Sequence, residues 1–255
     1  MVLPRPSASV SGTFVRMLRI GIDIGGTFTD LVLDEDGARR STKLLTTPEA
    51  PERAVLDGLE QLLEAAGKRA EAVDLVVHGT TLATNAVIER KGAKTALVAT
   101  EGFRDTLEIA DEGRFDQYDV FIEKPRPLVP RPLRFTVPER VDARGRVRLA
   151  LDEEAVRRVA GELRAAGVAS VAVCLMHAYA APAHEERVRA ILAEALPDVA
   201  VSLSAEVCPE IREYERFTTA SANAYVKPLM ARYLADLQQR LAAAGLACPV
   251  LMMTS

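Results

Sequence analysis

Short apolar runs separated by polar turns predict an alternation of strands and helices along the chain. The clearest run, Leu18–Ile24, ends in Gly25-Gly26, which predicts a buried strand followed by a tight turn. Asp36-Gly37 is a hairpin turn sequence, and a helix is predicted from Pro51 to Gly67 because apolar residues recur there at helical spacing. Further strands are predicted at residues 31–33, 41–45, 73–77 and 95–99, and a further helix ends near residue 91.

This order of elements is typical of a ribonuclease-H-like domain, in which helices cover the faces of a mixed sheet. The second half of the chain repeats the alternation, and Asp152 is the expected N-cap of a helix that ends at Gly167. Strands are predicted there at residues 170–175, 199–203 and 250–254, and helices at 182–195, 213–225 and 228–244. The predicted fold class is α/β: a ribonuclease-H-like mixed sheet followed by a second, smaller α/β segment.

Residues 111–150 interrupt this alternation. Five prolines break any long helix in this stretch, and its second half is rich in arginine. We expect an extended excursion with one hairpin near residues 143–145, and it is either a functional segment or a solvated surface arm. The predicted domains are an N-terminal tail at 1–17, a ribonuclease-H-like domain at 18–110, the excursion at 111–150 and a second α/β segment at 151–255.

Composition narrows the class of protein. Among 255 residues, 32 are Lys or Arg and 36 are Asp or Glu, and the net charge of −4 argues against a nucleic-acid-binding protein. The sequence has no run of about 18 apolar residues, so no membrane span is expected, and its N-terminus lacks the apolar core of a secretory signal. Cys174, Cys208 and Cys248 fit neither a disulfide framework nor a zinc motif. We therefore expect a cytoplasmic protein.

The stretch from residue 22 to residue 30 carries the sharpest chemical signal. Asp23 puts a carboxylate in an apolar strand, which is costly unless a hydrated cation pairs with it. The glycines that follow let the backbone approach an anion, and two threonines add hydroxyl donors without adding negative charge. The candidate phosphate-binding residues are Gly25, Gly26, Thr27, Thr29 and Asp30. A plain Gly-Gly hairpin turn is the structural alternative, but it leaves Asp23 unexplained.

A second block, residues 78–86, predicts a strand end that turns into a helix. Thr80 or Thr81 would cap this helix, whose first N–H groups offer a positive site to an anion. His78 is a candidate donor to a phosphate or to a carbonyl oxygen, and Asn85 lies one turn beyond the cap. The alternative is a simple threonine cap with His78 satisfied by nearby backbone.

Of the two remaining polar clusters, one indicates a structural role and the other allows two interpretations. His177 and His184 are placed too irregularly for a metal pair on one helix, so a structural role is favoured. The charged run at 212–216 is followed by small polar residues at near-helical spacing. It is compatible with a helix face packed against a polar surface and with a solvated helix stabilised by ion pairs.

The 22–30 stretch resembles the first phosphate loop of the actin/Hsp70/sugar-kinase superfamily and, more closely, the N-terminal part of the hydantoinase A/oxoprolinase family. The resemblance runs from about residue 18 to the C-terminus. Its further blocks are HGTTLATNA at 78–86, KGAKTAL at 91–97, EGFRD at 101–105, YD at 118–119, EKP at 123–125, VPER at 137–140 and REYER at 212–216. A single Gly-Gly-Thr would be weak evidence, whereas several blocks in this order are strong evidence.

The resemblance implies an enzyme that uses ATP and Mg²⁺ to activate a poor carbonyl electrophile. In oxoprolinases and N-methylhydantoinases this carbonyl belongs to a cyclic amide, and phosphorylation of its oxygen allows water to open the ring. Asp23 would then hold Mg²⁺ through water and act with His78 as a catalytic residue, in a phosphate-binding domain at 18–110. The residues that would bind nucleotide phosphates are Gly25, Gly26, Thr27, Thr29, Asp30, Thr80, Thr81 and Asn85.

Two features depart from the family pattern. The second phosphate loop and the adenosine-binding glycines are missing, so we expect either an N-terminal portion that continues past Ser255 into a second ATPase half or a split subunit that carries half of a nucleotide cleft. Many relatives follow Glu-Ile with Gly-Arg, whereas here Glu108-Ile109 leads to Ala110-Asp111. If that region faces the substrate, the resemblance does not fix which substrate is bound.

The favoured function is the N-terminal portion of the A-type subunit of an ATP-dependent hydantoinase or 5-oxoprolinase. Its expected partners are a lactam or hydantoin substrate, the second ATPase half and a B-type subunit. One alternative is the ATPase subunit of an acetone-type ketone carboxylase, which the downstream sequence would distinguish. Another is a non-catalytic half-cleft module that needs a partner to bind nucleotide.

Overall fold

A computed structural model of the chain describes residues 17–47, 50–111 and 118–253. The predicted N-terminal tail apart from Met17, residues 112–117 of the predicted excursion and residue 254 of the last predicted strand lie outside the described residues. The chain divides into two compact units. The first comprises the described residues up to Thr81 together with those from Ala235 onward, and the second comprises the described residues between Leu82 and Leu234.

The described residues contain eleven strands and seven α-helices. The strands are β1 (Leu18–Ile24), β2 (Phe28–Glu35), β3 (Ala38–Leu45), β4 (Leu75–Thr80), β5 (Thr95–Thr100), β6 (Arg134–Val137), β7 (Arg140–Val141), β8 (Val147–Leu149), β9 (Ser170–Cys174), β10 (Ala200–Leu203) and β11 (Val250–Met252). The helices are α1 (Pro51–Ala66), α2 (Leu82–Ile88), α3 (Thr106–Ile109), α4 (Glu153–Ala166), α5 (Ala183–Ala195), α6 (Ser204–Val207) and α7 (Glu213–Ala243).

Local sequence accounts for several of these boundaries. Asp36 and Gly37 both have positive φ, which is the backbone of the two-residue hairpin turn predicted between β2 and β3. Gly67 ends α1 in the left-handed conformation that glycine adopts without strain. The Asp152 carboxylate accepts a hydrogen bond from the N–H of Ala155 at 2.9 Å, so the predicted N-cap of α4 is confirmed.

The first unit contains a five-stranded mixed sheet in the order β11-β4-β1-β2-β3. β1, β2 and β3 pair antiparallel, whereas β4 runs parallel to β1 and β11 runs parallel to β4. Helix α1 packs closely on one face of this sheet, since a Cβ at Gly58 would lie 2.5 Å from Leu31 Cδ1. Along β1 the side chains alternate between this buried face and an exposed face.

The second unit contains a four-stranded parallel sheet in the order β10-β9-β5-β6. Helices α4 and α5 contribute Val156, Leu163 and Leu192 to the apolar core on one face. The first half of α7 contributes Phe217 and Ala220 to a separate core with Leu97 of β5. The hairpin predicted near residues 143–145 is present between β7 and β8.

The strand predicted at 95–99 lies in a different sheet from the one expected. β5 belongs to the sheet of the second unit, and β11 takes the fifth position in the sheet of the first. All six residues of β5 are buried, which suits the centre of a parallel sheet covered on both faces, whereas β11 is short and largely exposed. The compact units divide the chain after Thr81 and after Leu234, and the predicted domain boundaries at 110 and 150 stay a prediction.

The two helices predicted at 213–225 and 228–244 are one helix, so this prediction is wrong. Pro228 lies inside α7, where a proline ring crowds the carbonyls of the preceding turn. Near this position the carbonyl of Tyr225 accepts a hydrogen bond from the N–H of Ala93 at 2.9 Å, which joins α7 to the chain after α2. None of the described helices combines the length and the apolar character of a membrane span.

Candidate functional site

A small set of hydrogen bonds closes the turn between β1 and β2. The N–H of Gly25 donates to the carbonyl of Phe28 at 2.9 Å. Thr46 ties the end of β3 to this turn, because its hydroxyl donates to the Gly25 carbonyl at 3.0 Å and its N–H to the Thr27 carbonyl at 2.9 Å. A Cβ at position 25 would lie 3.1 Å from the Phe28 oxygen, a close approach that favours glycine. Gly26 and Thr27 are exposed at the tip of the turn.

Asp23 lies near the end of β1 with its side chain on the exposed face, while its neighbours Ile22 and Ile24 are buried. The strand register aligns Asp30 of β2 and Gly79 of β4 directly with it. A Cβ at position 79 would lie 3.5 Å from Asp23 Oδ1, so the glycine leaves that side of the carboxylate open. The predicted carboxylate in an apolar strand therefore faces out of the core.

Lys43 of β3 extends this line of residues by one strand. It lies opposite Asp30, and its Nζ donates to both carboxylate oxygens of Asp30 at 2.9 Å. Residues directly opposed on neighbouring strands share a face. One row therefore crosses four strands, and we call it the carboxylate row. It consists of Gly79, Asp23, Asp30 and Lys43. Sequence analysis missed Lys43, although the hairpin turn at 36–37 sets the register that pairs position 30 with position 43.

His78 lies on the opposite face of the sheet from Asp23. The register aligns it with Ile22, and its side chain is fully buried. Burial lowers the pKa of the imidazole below its ordinary value of 6.5, while a backbone hydrogen bond with Ile22 and the charge of Asp23 oppose this shift. The structure therefore holds a neutral imidazole in the core beneath the carboxylate row, and the catalytic role expected for His78 stays a prediction.

The threonines of the predicted site are used partly for structure. The Thr29 side chain is fully buried, and its hydroxyl lies 2.9 Å from the Thr46 hydroxyl. The carbonyl of Ile24 accepts the N–H of Thr81 at 3.1 Å, and the hydroxyls of Thr80 and Thr81 lie 3.5 and 3.4 Å from the same oxygen. These contacts fix the end of β4 against the end of β1.

The predicted residues of the first unit thus form two groups. Asp23 and Asp30 lie on the exposed face, next to the turn at 25–27, whereas Thr29 and His78 are buried. Asn85 belongs to α2 of the second unit, where it is half-buried and its carbonyl accepts the N–H of Glu89 at 2.8 Å. Its expected contact with nucleotide stays a prediction.

The donor set at the end of β1 fits a hydrated divalent cation. Mg²⁺ takes one or two carboxylates, keeps several waters and shares phosphate oxygens. Asp23 offers an exposed carboxylate, with that of Asp30 beside it across the strand pair. Among the residues that the structure describes, no group of three or more His, Cys, Asp or Glu side chains could hold a metal ion. The carboxylates at the end of β1 therefore suit a cation whose other ligands are water and phosphate.

Comparisons with known proteins agree with this architecture. A family profile described as the hydantoinase/oxoprolinase N-terminal region matches residues 19–196. The caprolactamase subunit alpha of Pseudomonas jessenii is 40% identical over 223 residues, covering 85% of this chain and 32% of that protein. The acetophenone carboxylase gamma subunit of Aromatoleum aromaticum is 34% identical over 243 residues, covering 89% and 33%. The 5-oxoprolinase 1 of Arabidopsis thaliana is 33% identical over 254 residues, covering 85% and 19%.

The fold is also similar to that of a solved structure. The crystal structure of the ATP-dependent caprolactamase from Pseudomonas jessenii superposes with a TM-score of 0.84 at 37% identity, covering 92% of this chain and 35% of that one. The chain thus spans about a third or less of the length of the relatives it matches. The mixed α/β architecture predicted from the sequence is confirmed.

Proposed function

The chain belongs to the hydantoinase/oxoprolinase family, matching the N-terminal region of its members, and we propose that it carries the phosphate-binding part of an ATP-dependent cyclic amide hydrolase. Two relatives whose names give caprolactam and 5-oxoproline as their substrates support this proposal. The observation that carries it is the exposed Asp23 carboxylate at the end of β1, beside the turn that begins at Gly25.

Each residue of the exposed group has a defined task in this proposal. ATP would transfer its γ-phosphoryl group to the amide oxygen and leave as ADP. Water would then add to the activated carbon, the carbon–nitrogen bond would break, and inorganic phosphate would leave with the ring-opened product. The exposed backbone of Gly26 and Thr27 would contact phosphate oxygens, and Asp23 would hold Mg²⁺ through water. Lys43 neutralises Asp30, so the carboxylate row keeps a single net negative charge near an approaching anion.

Four residues support the site in this proposal by holding its backbone in place: Thr29, His78, Thr80 and Thr81. Their hydrogen bonds and burial favour a fixed spacing between the ends of β1 and β4. A neutral imidazole under the carboxylate row also avoids a buried positive charge that would compete with the cation. We therefore treat His78 as a positioning residue, and its predicted direct role in catalysis is the alternative that mutation distinguishes.

We further propose that the first unit is a ribonuclease-H-like domain and one half of an actin-like ATPase. Its sheet order, with three antiparallel strands followed by two parallel ones, supports this finer assignment. In the whole enzyme the phosphate-binding domain at 18–110 would act with the excursion at 111–150, the segment at 151–255 and a second ATPase half. A B-type subunit is the proposed partner, because two relatives are themselves named as subunits.

A ketone carboxylase ATPase subunit is the second candidate. The observation that favours it is the similarity to the acetophenone carboxylase gamma subunit, at 34% identity over 89% of this chain. A non-catalytic module that binds nucleotide only with a partner is the third. The three differ in what stimulates ATP turnover, so one assay separates them.

The test is ADP release by the complete protein with its partner subunit, in the presence of Mg²⁺. The probes are 5-oxoproline, caprolactam and hydantoin on one side, and acetophenone with bicarbonate on the other. We expect a cyclic amide to raise ADP release, with the ring-opened product formed in equal amount. Stimulation by the ketone and bicarbonate alone would identify a carboxylase subunit, and no stimulation by any probe would favour the non-catalytic module.

A further inference from the structure

A cavity of about 280 Å³ is lined entirely by residues of the second unit. The first turns of α7, the end of α2 and the segment 125–128 enclose it. Aliphatic side chains, including Val87, Leu107 and Leu128, form much of its wall. A mostly apolar cavity of this size, with a few polar groups at defined places, is typical of a site for a small organic molecule.

Helix α7 contributes three hydroxyl-bearing residues to the lining of this cavity. Tyr214, Thr218 and Ser221 are spaced four and three residues apart, which aligns them on one face of the helix. The adjacent face of the same helix carries Phe217 and Ala220 into the core with β5. The hydroxyl-bearing face is therefore held in place by packing on its neighbouring side.

Ser221 gives the cavity a buried hydroxyl whose hydrogen-bonding capacity is unused. The residue is 2% exposed, and its Oγ has no hydrogen-bond partner among the residues that the structure describes. A serine within a helix ordinarily bonds to the carbonyl one turn back or to water. Leaving the hydroxyl unpaired in apolar surroundings destabilises the fold. A group that costs stability at the wall of a cavity is most simply explained by a ligand that pairs with it.

The charge of the cavity wall is positive. Arg90 and Arg126 are among the lining residues, and no Asp or Glu is among those that the structure describes there, although Glu108 and Asp111 line the adjoining cavity that shares Arg126. The Arg90 Nη2 donates to the carbonyl of Arg126 at 2.6 Å, which ties the segment 125–128 to the end of α2. Guanidinium groups without a carboxylate partner in the wall favour an anionic ligand.

Close packing behind the cavity fixes the position of its wall. A Cβ at Gly92 would lie 2.1 Å from Tyr225 Cε1, so the chain after α2 runs directly against the Tyr225 ring. The N–H of Ala93 donates to the Tyr225 carbonyl at 2.9 Å. The two elements that carry Arg90 and Ser221 are thus held together before any ligand arrives, which lowers the ordering cost of binding.

We propose that this cavity is a binding site for a small organic carboxylate. Its apolar part would lie against the aliphatic wall, its negative charge would be recognised by Arg90 and Arg126, and an acceptor oxygen would pair with the Ser221 hydroxyl. The site requires neither ATP nor turnover, so it goes beyond the proposed function and is tested separately from it.

The test measures binding of three probes of equal chain length to the complete protein by calorimetry without ATP. The probes are hexanoate, hexanamide and hexylammonium, which differ only in the head group and its charge. We expect saturable binding of hexanoate, at least about tenfold weaker binding of hexanamide, and none of hexylammonium. Absence of saturable hexanoate binding, or equal binding of all three probes, would overturn the proposal.

Two variants test the roles of the polar groups. Ser221→Ala should weaken hexanoate binding by about tenfold and raise the melting temperature of the unliganded protein, because it removes the unpaired hydroxyl. Arg126→Gln should weaken hexanoate binding and leave hexanamide binding unchanged. The control is Thr219→Ala, an exposed position on α7 outside the cavity, which should change neither affinity. A lower melting temperature with unchanged affinity in Ser221→Ala would assign the hydroxyl a purely structural role and overturn the proposal.

Discussion

Asp23 and Asp30 lie directly opposite each other on β1 and β2, and Lys43 compensates only the second of these two carboxylates. Like charges opposed across a strand pair destabilise a sheet unless something neutralises them. Asp23, the carboxylate next to the exposed glycine turn, has no ion pair among the residues that the structure describes. Because Lys43 neutralises Asp30, Asp23 is the carboxylate of this pair that would face a bound cation in the proposed function.

The first prediction concerns Asp23 in the complete enzyme. Asp23→Asn should keep the fold, because the side chains are nearly the same size and position 23 is exposed. It should lower cyclic-amide-dependent ATP turnover by about 10² to 10³, the loss expected when one electrostatic contact to the reacting phosphates is removed. The measurement is steady-state ADP release at matched melting temperature.

Asp57→Asn provides the matched control for this change. Asp57 is an exposed carboxylate on α1, in the same unit but outside the carboxylate row, so its replacement should leave turnover unchanged. If Asp23→Asn also stays within about threefold of the unmodified enzyme, Asp23 does not act on the phosphates. The phosphate-binding proposal would then lose the observation that carries it.

Much of the carboxylate row could be read from the sequence. Counting outward from the turn at 26–27 pairs position 23 with position 30, and counting outward from the turn at 36–37 pairs position 30 with position 43. Both turns are short and marked by glycine, so the register follows from local chemistry. The row is formed across the sheet, so its four members are far apart along the chain and show no common motif.

Other features depend on contacts that local sequence does not specify. The residues before His78 in β4 are all apolar, so alternation along this strand does not show which face His78 occupies; its register with β1 does. β11 pairs with β4 although well over a hundred residues separate them in the chain. Pro228 predicts a helix break by local rules, whereas α7 continues through it, next to the contacts of Tyr225 with Gly92 and Ala93.

The second prediction separates a positioning role of His78 from a catalytic one. Because burial lowers its pKa in the folded state, the unfolded chain binds more protons below about pH 6.5. The contribution of neutral His78 to stability is therefore lost as pH falls below that value. His78→Asn should flatten this part of the pH dependence, measured by denaturant unfolding between pH 5 and 8.

The ATP turnover of His78→Asn distinguishes the positioning role from the catalytic role. A residue that only positions the strand ends should change turnover by less than about tenfold under conditions where the variant is folded, whereas loss of a general acid or base costs about 10² to 10⁴. A loss in that larger range, with an unchanged pH dependence of stability, would restore the direct catalytic role predicted from the sequence.

The third prediction concerns Ala110, a non-glycine residue with positive φ. Its backbone has φ 57° and ψ −143°, a conformation that costs an L-residue about 1–3 kcal/mol. Ala110→Gly should relieve this strain. The greater conformational freedom of glycine in the unfolded chain should lower the free energy of unfolding by about 0.5–1 kcal/mol. We expect a net gain of about 1 kcal/mol in the free energy of unfolding.

Ala190→Gly is the matched control for Ala110→Gly. Ala190 is exposed in the middle of α5, where the same substitution should cost about 1 kcal/mol because glycine is a poor helix former. The two variants should therefore shift chemical unfolding midpoints in opposite directions. Equal destabilisation by both would mean that the Ala110 backbone is unstrained in the folded protein.

A buried network at the ends of β9 and β10 holds Glu185 in the second unit. Its carboxylate accepts the N–H groups of Leu175 at 2.8 Å and of Ala205 at 2.9 Å, and the hydroxyl of Ser204 at 2.6 Å. Arg216, which the sequence presents as part of a charged run, is fully buried and donates to the Leu175 carbonyl at 3.1 Å. Part of the charged run at 212–216 is thus buried, which disagrees with the interpretation of this run as a solvated helix.

The last prediction follows from the pKa of Glu185, which burial raises from 4.5 to about 6, although its hydrogen bonds and the charge of Arg216 oppose the shift. Since the folded state binds the extra proton, the stabilising contribution is complete below pH 4.5 and is lost as pH rises through about 6. Relative to Glu185→Gln, the unmodified protein should therefore lose about 2 kcal/mol of unfolding free energy between pH 4 and pH 7. Urea unfolding of both proteins measures this difference, with Glu186→Gln at the exposed neighbouring position as the control, expected within about 0.5 kcal/mol at both pH values. If the difference in unfolding free energy between the unmodified protein and Glu185→Gln stays constant across this range, Glu185 titrates normally. The hydrogen bonds of the network would then stabilise the buried carboxylate as well as water does.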